Sequence, residues 1–134
     1  MPRSLFSRLI ILLLASVAFS EQASAQSLDL SGTWTGPAAQ NAGSSGYTVV
    51  LTITGTDAVT NYPELDCGGK LARVGEANGY VFFTETITRG GTSSGGSCID
   101  GSVTIAPAGR KLAWGWVGSY KGEVYVAWSK LVRE

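Results

Sequence analysis

Residues 47–54 (YTVVLTIT) place Tyr47, Val49, Leu51 and Ile53 on one side of an extended chain and mainly threonine on the other. Successive side chains of a strand point to opposite faces, so this period of two marks a half-buried β-strand. Residues 80–88 repeat it, with Val81, Phe83 and Ile87 on one face and Tyr80, Phe82, Thr84, Thr86 and Thr88 on the other. Ile99, Val103 and Ile105 alternate again, as do Leu112, Trp114 and Trp116, and then Val124, Val126 and Trp128. No window of eleven residues shows helical spacing with caps, and the chain reads as all-β.

Turn signals at Gly55-Thr56-Asp57, Ala77-Asn78-Gly79, Pro107-Ala108-Gly109 and residues 118–122 separate the apolar runs. They divide the chain into about eight strands, over residues 28–36, 46–54, 57–62, 67–76, 79–88, 98–106, 110–117 and 122–132. Short sequential connections make neighbouring strands antiparallel. The expected architecture is therefore a small up-and-down barrel, which removes sheet edges by closure. A β-sandwich is the competing architecture, although the Cys…Trp…Cys order of immunoglobulin domains is missing. Two longer Gly-, Ser- and Ala-rich stretches, 37–46 and 90–97, read as flexible connectors because neither carries a charged or aromatic side chain, with functional lids as the alternative. The second is not a phosphate loop, for it lacks the closing Gly-Lys-Ser/Thr.

The start of the chain changes the picture of where it works. Arg3 and Arg8 precede an unbroken small or apolar run, and Ala23-Ser24-Ala25 fits a small-x-small cleavage site. This order predicts a secretory signal peptide cut after Ala25, leaving residues 26–134 as one exported domain, secreted or periplasmic. The apolar run is shorter than the ~20 residues of a spanning helix, so no membrane span is expected in the mature chain. Loss of Arg3, Arg8 and Glu21 leaves eight basic and nine acidic residues, a net charge of −1. That balance argues against nucleic acid as a partner, since phosphate binding needs clustered positive charge.

The chain has no His and two cysteines, Cys67 and Cys98. In an exported chain two cysteines most simply form one disulfide. A catalytic thiol lacks an activating His, and zinc lacks further soft ligands, so neither a metal nor a cofactor is expected. Both cysteines begin strands at the same end of the barrel, two strands apart. That separation is about 10 Å in a flat sheet. A disulfide needs its Cα atoms within about 7 Å, so the chain before one cysteine must curl inward.

Two segments resemble known families. Leu30-Ser31-Gly32-Thr33-Trp34 is similar to the Gly-x-Trp opening of avidin-like and lipocalin-like barrels, where the Trp closes one barrel end. Tyr62-Pro63-Glu64-Leu65-Asp66-Cys67-Gly68-Gly69-Lys70-Leu71, then Phe83-Thr84-Glu85-Thr86-Ile87 and Cys98-Ile99-Asp100-Gly101, form a longer match across residues 46–117. It resembles a pattern in small exported bacterial domains, which stand alone or on receptor-like serine/threonine kinases. The resemblance implies a disulfide and a sensing or binding role without catalysis. Arg73 departs from it, standing where a second apolar residue is expected after Leu71.

Glu85 is the polar residue in an apolar row, sharing its face with Val81, Phe83 and Ile87. A carboxylate there is costly unless it is paired or hydrogen-bonded. A three-residue loop over 77–79 sets Leu71 opposite Glu85 and makes Arg73 its diagonal neighbour, whereas a two-residue loop at 78–79 brings Lys70 and Ala72 to that face. The first register keeps Leu71 with the apolar set. Glu85 and Arg73 are thus candidates to line a cavity and orient a ligand, with Trp34, Trp114, Trp116 and Trp128 as its aromatic floor. The competing reading makes Glu85 and Arg73 a structural ion pair and the tryptophans plain core. Tyr120 and Lys121, at the tip of the 118–122 turn, are candidates to anchor a protein partner.

Without His, a Ser-His-Asp set is impossible, and Asp66, Asp100 and Glu123 are too scattered to nominate a second carboxylate. The sequence therefore favours a non-enzymatic binding module for a small ligand or an extracellular protein. Inhibition of an extracellular hydrolase, a protease or a lysozyme, by a protruding loop is the alternative.

Overall fold

The alternating segments become eight antiparallel strands in a computed structural model that describes residues 29–42 and 46–134. Residues 1–25, expected above to be a signal peptide, lie outside the described residues. The strands are β1 (Gly32–Gln40), β2 (Tyr47–Thr54), β3 (Asp57–Tyr62), β4 (Cys67–Ala77), β5 (Tyr80–Arg89), β6 (Gly101–Ala108), β7 (Lys111–Tyr120) and β8 (Glu123–Arg133). Each pairs with the next in sequence, and β8 returns to β1, closing the barrel. Among the described residues no helix is long and apolar enough to cross a membrane.

Period two now has a physical meaning: one face of every strand points into the barrel. Val49, Leu51, Val103, Ile105, Leu112 and Leu131 form a fully buried belt at mid-height. Burying each such side chain stabilises the fold by about 1.5–3 kcal/mol. Size is matched across neighbouring strands. Trp114 and Trp116 of β7 lie opposite Ser129 and Ala127 of β8, and these small inward residues leave the indoles room.

Three local departures from the sequence reading have clear causes. Strand β1 runs through Pro37-Ala38-Ala39-Gln40, which the small-residue composition marks as connector. Ala38 faces the core, and a Pro at 37 is tolerated because it lacks only the one donor. In the β4–β5 hairpin, Leu71 is opposite Glu85 and Arg73 opposite Phe83, as the favoured register requires. The loop, however, is the two-residue Asn78-Gly79, both with positive φ. A bulge between Arg73 and Gly75 absorbs the extra residue. Lastly, Cys98 does not begin a strand, because β6 starts at Gly101.

That late start solves the disulfide geometry. Cys98 lies in the loop before β6, bridged to Gly91, and its Cα is 6.3 Å from that of Cys67, within bonding reach. The cystine ties the loop back onto the first residue of β4. Residues 90–97 are consequently an ordered turn, with Thr92 N–H donating to Cys98 O and Gly96 N–H to Gly91 O. Gly90 is required there: it holds φ +74°, and a Cβ would sit 2.3 Å from Asp66 O.

Candidate functional site

Strand direction gives the barrel two unlike ends. At one end, here the mouth, β1, β3, β5 and β7 finish and the disulfide loop crosses. A cavity of about 500 Å³ opens there. Its walls carry Tyr47, Tyr62, Trp116, Tyr120 and Tyr125, and Leu65, Ile87 and the turn around Gly96 complete the rim. Glu85 forms part of the floor.

Glu85 is 2% exposed, and its carboxylate is held by three neutral donors. Oε1 accepts from Thr60 Oγ1 and, at 2.7 Å, from the Tyr62 hydroxyl, while Oε2 accepts from Trp116 Nε1 at 2.7 Å. Thr60 and Tyr62 come from β3 and Trp116 from β7, so β5 places the carboxylate where strands from both flanks converge. Burial pushes the Glu85 pKa up, the donors pull against that, and the charge of Asp100 adds to the rise. Burial also raises the Tyr47 hydroxyl to about 12, and Glu85 adds to this. Tyr62 is raised well above the usual phenol range for the same reasons in the same order.

Two inward glycines explain why Trp116 leaves a cavity instead of filling one. A Cβ at Gly101 would lie 2.5 Å from the indole, and one at Gly118 would lie 2.4 Å from it. The ring rests on bare backbone of β6 and β7, which turns its N–H to Glu85. Gly69 does the same for the carboxylate, where a Cβ would be 3.1 Å from Glu85 Cγ.

The sequence candidates separate on this geometry. Glu85 and Trp116 meet at the cavity floor, and Tyr120 lines the wall. Arg73 does not reach Glu85: it pairs with Glu76 and borders a different hollow at the opposite end. Register brings the two backbones near, but the Arg73 side chain lies toward the opposite end, with Glu76 and solvent. Trp34 is buried at that opposite end, its Nε1 donating to Leu30 O at 2.9 Å. Trp114 lies beneath the mouth as core, its ring 6.4 Å from that of Tyr62 and its Nε1 without a partner. Trp128 is 52% exposed on the outer wall. It is therefore not a floor residue, because Ala127 and Ser129 are the residues of β8 that face inward there. Lys121 lies in a two-residue turn with its ammonium 5.3 Å from the Tyr120 ring centroid.

Tyr47, Tyr62 and Tyr125 line the cavity, and Thr60 holds Glu85 from within the barrel, although the sequence reading did not nominate them. A signal was present for three: Tyr47 shares its face with Val49 and Leu51, and Thr60 and Tyr62 occupy the inward positions of 57–62, in phase with Ala58. Among the described residues no group of three or more His, Cys, Asp or Glu could hold a metal ion. Compared with known proteins, the chain matches no family model, no curated protein and no solved structure.

Proposed function

We propose that the protein is an exported, non-enzymatic binding module that takes a small ligand into the mouth of its barrel. One observation carries this reading: a cavity of about 500 Å³ that is walled by aromatic side chains and has a buried, hydrogen-bonded carboxylate at its floor. Small-molecule sites have this make-up, mostly apolar with a few fixed polar groups and several hundred Å³ of space. The signal-like start of the chain and the Cys67–Cys98 disulfide support an oxidising, extracytoplasmic compartment. The resemblance of the middle segment to exported bacterial domains supports a sensing role in the same place.

The test is a titration of intrinsic tryptophan fluorescence with a panel of small apolar and amphiphilic compounds. A saturable change with one site per chain is expected, and Trp116→Phe should remove most of it while Trp128→Phe leaves it intact. A flat response across the panel, or a response that follows Trp128, would overturn the reading.

A further inference from the structure

The charge balance of the mouth is incomplete. Its exposed rim carries Glu64, Asp66, Asp100 and Glu123 against Arg89 and Lys121, with Glu85 below them. Both rim cations are engaged within the rim itself and neither reaches Glu85. Arg89 donates to Asn61 Oδ1 at 2.6 Å and Cys67 O at 3.0 Å and faces Asp66 at 3.8 Å, while Lys121 covers Tyr120. Glu85 therefore has no cationic partner among the described residues. Its three donors are all neutral, and the fixed indole N–H demands an acceptor at Oε2.

A carboxylate offers about four acceptor positions. Two at Oε1 and one at Oε2 are filled. The remaining position is on Oε2, the oxygen beside Trp116, and both side chains border the cavity. We propose that the ligand is a small organic monocation, a protonated amine on an apolar body, whose ammonium donates to Glu85 Oε2. The inference rests on the ligand-binding reading above and names the class of ligand. The faces of Trp116 and of the wall tyrosines attract the same charge through cation–π contact. A buried ion pair that completes an existing hydrogen-bond set is the case in which attraction outweighs desolvation. A carboxylate ligand would instead meet Glu85 and the acidic rim.

Matched probes test this on the purified, oxidised protein at neutral pH: 2-phenylethylamine and n-hexylamine, their alcohols 2-phenylethanol and n-hexanol, and phenylacetate. Each amine should bind at least tenfold tighter than its alcohol, with phenylacetate weakest. Glu85→Gln should abolish the amine preference, bringing each amine to within about twofold of its alcohol. A second measurement does not depend on that variant folding: in the unaltered protein, amine affinity should fall as Glu85 gains its proton on acidification, and alcohol affinity should stay flat. Alcohols binding as tightly as amines, or amine affinity that ignores pH, would overturn the charge assignment and leave the cavity reading standing. Failure of every probe to bind would overturn both.

Discussion

At the base of the barrel Trp34 is packed away, with Leu30 against it and the Arg133 guanidinium 4.4 Å from its ring. At the mouth Trp116 is laid back on glycine backbone and the space in front of it stays open. The base keeps a smaller hollow of about 330 Å³, but its charged neighbours Arg73 and Glu76 satisfy each other in solvent. Glu85 at the mouth has donors and, among the described residues, no counter-charge. The same strands thus make one end packed and the other open, and the two ends differ in whether each polar group already has its complement.

The largest test of that contrast compares indoles. Trp34→Ala should cost about 3–5 kcal/mol, the range for deleting a buried aromatic. Trp116→Ala should cost clearly less, because its ring borders a cavity, yet it should abolish ligand response. Chemical denaturation of both variants measures the difference. Equal losses would mean that the mouth is core like the base.

Next comes the cystine, which belongs to the mouth alone. Replacing Cys67 and Cys98 together with Ala opens a loop of about 32 residues and should lower stability by roughly 3–4 kcal/mol by the chain-entropy relation. The denaturation midpoint should shift accordingly. Binding should weaken beyond that shift when assayed where the variant is still folded, because the turn around Gly96 forms part of the rim.

Gly101→Ala and Gly118→Ala should each cost about 1–3 kcal/mol, typical of overpacking, by driving the indole off its rest. Gly115→Ala is the matched control on β7, since its Cβ would face outward 4.0 Å from the nearest atom. It should stay within about 0.5 kcal/mol of the parent, as surface changes do.

The mildest test is by pH. Glu85 has a folded pKa above the 4.5 of the free group. Its contribution is therefore greatest below that value and is lost as pH rises through the folded pKa. Relative to Glu85→Gln, the parent should gain thermal stability on going from neutral pH to pH ~4. Tyr47, raised from 10.0 to about 12, should lose its contribution as pH climbs from the first value to the second. Tyr47→Phe should flatten that alkaline limb in melting curves.

Much of the barrel was legible because bulk alternates along β2, β5 and β7, and Glu85 was conspicuous as the one carboxylate in an apolar row. Its partners were not legible. Thr60 and Tyr62 reach it from β3, with β4 lying between, so their meeting depends on the curvature of a closed sheet. Arg73 misled because register gives backbone proximity and leaves open toward which end of the barrel the side chain turns. Trp128 misled for a different reason: around it, β8 carries its bulk on the outside, at Val126 and Trp128, and small residues within. Its inward Ala127 and Ser129 take their sense only from the indoles across from them. Similarly, the small residues of 37–40 have weak strand preference, and closure against β8 recruits them.

The bare backbone behind Trp116 makes the bore of the cup a tunable dimension. A single methyl group added behind the indole would push it toward the opposite wall and narrow the entrance, while the mid-height belt of Leu51, Ile105, Leu112 and Leu131 would be untouched. On the ligand-binding proposal, Gly101→Ala or Gly118→Ala should re-grade selectivity for ligand girth, at the cost in stability given above.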